Sequence, residues 1–285
     1  MELVNDFLSS VLPYTEWVML FLVVGGGLFL AVYSKLLPFR YFKHALDITR
    51  GKYDHKDDPG EVSHLQALSS AVAATVGMGN IAGVAIAIYL GGPGVVFWIW
   101  ITALIGMGIK FYSCSLAVMF RGTDSLGALQ GGPMYYMIQG MGKKAKPMAI
   151  FFSIAGLFGV LPAFTANQFT QTLIDVVRPQ VNIYEMSVFH WKVLIGIILT
   201  IATSFVVFGG LKKIAKVATA IVPFMVLVYL LAVVFIMFQN AGEIFPAFKL
   251  IFSEAFNMET AVKGGFWGLV ILGIRRAVFS NEAGV

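Results

Sequence analysis

Four residues in an apolar stretch point to binding chemistry that needs no acid, base or nucleophile. Gly77, Met78, Gly79 and Asn80 lie near the middle of LSSAVAATVGMGNIAGVAIAIYLGGPGVVFWIW, residues 68–100, where an unbroken spanning helix would keep Leu, Val and Ile. Each interior glycine costs about 0.5–1 kcal/mol against alanine. Backbone groups freed by a break in hydrocarbon cost several kcal/mol more unless protein, ion or ligand satisfies them. A helix broken at 77–80 therefore predicts an occupant. The half-helix ending near Val76 turns its last carbonyls toward the break, a partial negative charge suited to a cation. The half-helix beginning near Ile81 turns free N–H groups to the same place, which suits a carboxylate. Ion-coupled carriers of small zwitterions use this design at the bilayer midplane. A glycine groove for close helix packing explains the spacing equally well.

The elements that position these residues follow from composition. With 58% hydrophobic residues, 12% charged and a mean hydropathy of +0.82, the chain lies outside the soluble globular range and reads as an all-α polytopic membrane protein. The basic balance, pI near 9.2, belongs to cytoplasmic loops in such a protein, so no nucleic-acid partner is expected. The single cysteine, Cys114, excludes an internal disulfide and any multi-cysteine metal centre. The spans expected are about 17–34, 64–90 with the break at 77–80, 95–120, 148–176, 191–208, 217–238 and 264–284, one incomplete transmembrane domain over 1–285. Met1–Glu16 carries acids and no Lys or Arg, unlike a signal peptide, so the first span reads as retained. Phe39, Phe42, Ala45 and Leu46 alternate with Arg40, Lys43, His44 and Asp47 as an amphipathic helix lying on the membrane surface. Gly91-Gly92-Pro93-Gly94 is a tight turn. Within the fourth span Thr165, Asn167, Gln168 and Gln171 need partners or a water-lined cavity, and Thr165 and Gln168 share a face.

GMGNIAGVAIAIYLGGPGVVFWIW, then GMGIKF, LAVMFR, GGPMYY and FSNEAGV, resembles the sodium:alanine (alanine or glycine:cation) symporter family. The resemblance covers most of 64–140, parts of 203–232 and all of 264–285. It implies a leucine-transporter-type five-plus-five inverted-repeat core preceded by one extra helix, with sodium as coupling ion and alanine or glycine as substrate. The chain then holds the extra helix, the first repeat and the start of the second, and reads as truncated after SNEAGV. Two departures bear on this. The family commonly has Glu where Ser113 stands, one turn from the intramembrane Lys110, and FQANQ where this chain reads FTANQ, so Thr165 replaces a glutamine.

On this reading N–H groups near Gly79 and Asn80 take the substrate carboxylate, while Thr75, Val76 and Asn80 are oxygen ligands for a hard cation. Gly77 and Met78 line the pocket, Met78 limiting its size, with Thr165 and Gln168 as further contacts. The seventh span is expected to break between Gly268 and Gly273, its freed carbonyls accepting from the substrate ammonium. No cofactor is expected. Counting Lys and Arg by alternate loops puts sixteen on one side, including Arg275 and Arg276, and four on the other. The N-terminus is then outside a bacterial or archaeal plasma membrane. Charge geometry alone supports a cation with a small carboxylate. A proton-coupled carrier of another small carboxylate and a non-transporting packing or assembly subunit stay open as alternatives. An intramembrane enzyme is disfavoured, since the spans hold no HExxH, paired carboxylates or Ser/His pairing.

Overall fold

The structure, a computed structural model, describes residues 6, 10–11, 14–15, 17–54, 62–125, 127, 129–159, 163–177, 187–257 and 265–281. The chain is a succession of helices. They are α1 (Trp17–Tyr33), α2 (Leu37–Arg40), α3 (Phe42–Thr49), α4 (His64–Thr75), α5 (Met78–Gly91) and α6 (Val95–Met119). A two-stranded hairpin, β1 (Gly122–Thr123) and β2 (Leu129–Gln130), leads to α7 (Pro133–Met141) and α8 (Lys146–Gly159). Then come α9 (Ala163–Val177), α10 (Val188–Val207), α11 (Gly210–Gln239), α12 (Ala241–Glu254) and α13 (Gly265–Asn281). Among the described residues four stretches are long and apolar enough to cross a bilayer: His64–Gly91 counted through its break, Val95–Met119, Val188–Val207 and Gly210–Gln239. Their large apolar side chains are widely exposed, Phe205 at 74% and Phe238 at 78%, as lipid-facing residues must be. Pro162, Gly264 and the residues after Asn281, most of SNEAGV among them, lie outside the described residues.

Two compact units divide the chain, one of Met1–Leu46, Gly79–Ile150 and Leu231–Val285, the other of Asp47–Met78 and Phe151–Leu230. The first is built around α13. Its buried residues, Leu269, Val270, Gly273, Ile274, Ala277 and Val278, recur at helical spacing, while Trp267, Arg275 and Phe279 on other faces are less covered. Val270, Ile274 and Val278 pack with Val23 of α1, and Leu269 packs with Ala87 of α5 and Val95 of α6. Small residues set these approaches. A Cβ on Gly273 would lie 2.6 Å from the Trp98 Cβ, and one on Gly91 would lie 2.7 Å from a Leu272 methyl. Of the triplet Gly25-Gly26-Gly27 only Gly27 is used this way, against Ile105, and Gly25 and Gly26 meet nothing within 4 Å.

Hydropathy predicts no span between 238 and 264, yet α12 fills much of that gap. Proline at 246 and the charges Glu243 and Lys249 hid it from a hydropathy search. Its side of the unit is aromatic: Phe248, Phe252 and Phe256, four apart, meet Phe97, Trp98 and Trp100 with ring centroids 5.1–6.4 Å apart. The Trp98 indole N–H donates to the Ala255 carbonyl at 2.9 Å. The GGPG turn closes on the same place. Gly92 needs its φ of +81°, and Gly94 needs its missing side chain, because a Cβ there would sit 2.5 Å from the Glu254 carbonyl carbon.

In the second unit α9 packs on α10, and α10 turns tightly into α11 at Gly209-Gly210, where Gly210 has φ +70°. Lys213 folds back to cap the turn, its Nζ donating to the Phe205 carbonyl at 2.7 Å and lying 3.9 Å from the Phe205 ring. α11 therefore starts earlier than the expected span at 217.

Gly94→Ala should lower stability in detergent by about 1–3 kcal/mol through the clash with backbone at Glu254. Gly26→Ala, at helical φ −63° in open space, should be neutral or stabilising by up to about 1 kcal/mol. Thermal unfolding of the two purified variants checks the contrast.

Candidate functional site

The break in the second span begins with a well-made first half. Ser63 caps α4 by a reciprocal capping box, accepting from the Gln66 N–H at 3.3 Å while its own N–H donates to Gln66 Oε1 at 3.0 Å. His64 in the first turn meets Asp54 Oδ1 at 3.2 Å, a pair at the polar entrance and not part of an intramembrane relay. At the other end Thr75 turns its hydroxyl inward, donating to the Ala71 carbonyl at 3.0 Å. The Val76 N–H still reaches Val72 O at 2.8 Å, but Val76 itself is extended at φ −86°, ψ 102°. Helix resumes at Met78.

The break is thus two residues, Val76 and Gly77, and narrower than the expected 77–80. Gly79 and Asn80 are helical and open α5, so the second half begins at Met78 and not near Ile81. The reason is local: one extended residue and one bend are enough to interrupt the helix, and neither requires glycine's positive φ. Gly77 has no such φ, and a Cβ on it would meet nothing within 4 Å. Asn80 is half-buried with its carboxamide oxygen inside. The Met78 side chain, and with it the expected size filter, lies outside what is described.

The last turn of α4 presents carbonyls and a hydroxyl; the first turn of α5, from Met78 to Ile81, presents N–H groups. Among the described residues no three His, Cys, Asp or Glu gather at one place. A cation at the end of α4 would therefore be held by neutral oxygens from Thr75 and Val76, the donors of a hard monovalent or alkaline-earth ion and not of zinc or copper.

Three other expectations meet different geometry. Thr165 is exposed on α9 and Gln168 half-buried, its backbone carbonyl accepting from the Thr172 hydroxyl at 2.9 Å. Gln171 binds Asp175 at 2.9 Å, so one of the amides finds its partner one turn along. Lys110 is half-buried on α6, and Ser113, in place of an acid, donates to the Lys110 carbonyl at 3.1 Å. The expected break between Gly268 and Gly273 is absent: α13 runs continuously from Gly265 to Asn281. Gly273 serves close packing on Trp98 instead, and no carbonyls are freed there. Glycine permits a break, but a helix pressed between α1, α5 and α6 keeps its own hydrogen bonds.

A feature that the motif search passed over is the small-residue repeat Gly83, Ala87, Gly91, at i, i+4, i+8 of α5, which faces α13 at Arg276, Leu269 and Leu272. The four-residue spacing was the available signal. The repeat also seats Arg276. Its guanidinium occupies the space that a Cβ on Gly83 would fill, eight residues and about 12 Å inward from Gly91 at the turn.

Comparisons with known proteins agree on one family. The pattern of the "Sodium:alanine symporter family" matches residues 1–285. The chain is similar to the sodium/alanine symporter AgcS of Methanococcus maripaludis, 38% identical over 288 residues, covering 98% of this chain and 61% of the relative. It is also similar to the amino-acid carrier protein AlsT of Bacillus subtilis, 34% identical, with 99% and 56% covered. The probable sodium/glutamine symporter GlnT of the same organism is 32% identical, with 99% and 55% covered. The chain thus spans about six-tenths or less of the length of these curated relatives.

The two kinds of glycine are separable by experiment. Gly77→Ala should leave thermal stability within about 0.5 kcal/mol of wild type, since its Cβ meets open space. Gly273→Ala should lose about 1–3 kcal/mol by overpacking against Trp98. Unfolding midpoints in one detergent read the difference; equal loss at both positions would contradict the assignment.

Proposed function

The chain belongs to the sodium:alanine symporter family, and from that premise we propose that the whole protein carries a small neutral amino acid, alanine or glycine, across the plasma membrane together with sodium. The observation that carries this reading is the interrupted helix, α4 ending at Thr75 and α5 starting at Met78, with unfilled room at Gly77. The N–H groups of Gly79 and Asn80 take the carboxylate at the positive end of α5. The Thr75 hydroxyl and the carbonyls of the last turn of α4, Val76 among them, take sodium at the negative end. Gly77 leaves the space, and Met78 limits the side chain that enters. Thr165 and Gln168 are proposed as further substrate contacts on α9.

In the proposed architecture α4 to α11 supply the first repeat and α13 opens the inverted second one, the two alternating in access to either side. The basic loops put the N-terminus outside. Substrate size is where relatives diverge. A glutamine carrier among them makes a larger amino acid the second reading, favoured if Met78 faces away from the site.

Full-length protein in proteoliposomes should accumulate radiolabelled L-alanine under an inward sodium gradient and stop when potassium replaces sodium. Gly79→Leu should abolish uptake while leaving membrane insertion intact. Accumulation driven by a proton gradient without sodium would replace sodium by the proton as coupling ion.

A further inference from the structure

An arginine inside a span is costly and calls for a use. Arg276 lies on α13, half-buried, with its guanidinium seated on the backbone of α5 at Gly83 and 5.5 Å from the Phe279 ring centroid. Its place is fixed by packing on both sides, with Ala277 and Val278 next to it fully or nearly buried. Antiparallel pairing sets its depth: Gly91 lies against Leu269 and Leu272 near the outer turn, and Gly83 lies against Arg276 two turns inward. With the turn after Gly91 taken as one face of a core about 30 Å thick, the guanidinium lies about 12 Å inside it, well short of the opposite surface. A guanidinium does not lose its proton at any working pH, so the site carries a permanent positive charge.

What it could meet follows from the face of α5 on which it sits. Gly79 precedes Gly83 by four residues and shares that face, so between the guanidinium and the first turn of α5 both positions lack a side chain. Gly83 is five residues beyond Met78, about 7.5 Å along the axis. Guanidinium is the side-chain group best matched to a carboxylate, through two parallel N–H bonds, and is most effective where water is scarce.

We infer that Arg276 is a specificity-determining residue that selects substrates bearing a carboxylate, its charge adding to the N–H groups that open α5. The inference rests on the transport reading above. It gives Gly83 a purpose: any side chain there takes the seat of the guanidinium. It also separates the two cations of the RR pair, since Arg275 is exposed on another face of α13.

The test uses full-length protein in proteoliposomes, with sodium-driven uptake of radiolabelled L-alanine and competition by unlabelled L-alanine and by L-alaninamide, which lacks the carboxylate. Arg276→Gln should raise the KM for alanine about tenfold or more with kcat changed less than about twofold. It should also shrink the preference for alanine over alaninamide by a similar factor, and Arg276→Lys, which keeps the charge but not the two parallel N–H bonds, should restore part of both. Gly83→Ala, which keeps the charge but displaces it, should shift KM and preference in the same direction. A residue that only cements α13 to α5 would lower kcat or thermal stability and leave the preference unchanged, which overturns the inference. If Arg276→Gln is not recovered folded, Gly83→Ala decides alone, with wild-type preference counting against. Wild-type protein that shows no sodium-driven alanine uptake overturns the transport reading and this inference with it. Active wild type with indifferent variants overturns only the role of Arg276.

Discussion

A backbone in hydrocarbon has no water to satisfy it, and helices there are not driven together by the hydrophobic effect. Both halves of that constraint meet in residues 64–91. The first half makes the interruption at Val76 and Gly77 expensive, several kcal/mol unless something binds. The second makes the remainder of the helix, α5, adhere to its neighbour through small residues, Gly83, Ala87 and Gly91, that let α13 come close. One segment thus carries both the interruption and the contact that packs α5 on α13.

That contact explains why α13 is the most covered helix of its unit. Val23 of α1, Ala87 of α5 and Val95 of α6 converge on its apolar stripe, and the aromatic cluster of Phe97, Trp98, Phe252 and Phe256 closes the end where the GGPG turn meets Glu254. Rigid support matters for a site made of helix ends, because N–H groups and carbonyls recognise charge only when their helices are held in place. Glycines at 27, 91, 94 and 273 serve that support. Gly77 serves no such contact, having neither a positive φ nor a neighbour within 4 Å, and it is set apart from Gly25 and Gly26, equally open, by lying at the helix interruption.

The class of protein, the interrupted helix and four long apolar stretches were legible in the sequence because hydropathy and membrane-depth glycine are strong, local signals. The limits were also physical. Glycine pattern alone does not distinguish a broken helix from a tightly packed one, so Gly268 and Gly273 read like Gly77 and Gly79, although one helix is continuous and the other is not. Only the neighbour decides, and Trp98, 175 positions away from Gly273 in sequence order, is invisible to a window along the chain. The same holds for Arg276, whose seat against Gly83, 193 positions earlier, no window along the chain reveals. α12 was hidden for the opposite reason, being too polar and too short for a hydropathy search while its phenylalanines at four-residue spacing marked a packed face.

The most direct measurement is amide hydrogen exchange across 70–85 in the full-length protein, in detergent or nanodiscs, with and without sodium and L-alanine. A helix broken at Val76 and Gly77 whose second half opens on a carboxylate site predicts fast exchange at Gly77, Met78, Gly79 and Asn80 in the absence of ligand. It predicts strong protection when sodium and alanine are present together, and slow exchange in the flanking turns throughout. Slow exchange at these four amides without ligand would mean an uninterrupted helix, and fast exchange unchanged by both ligands would mean a break that binds neither; either result contradicts the account.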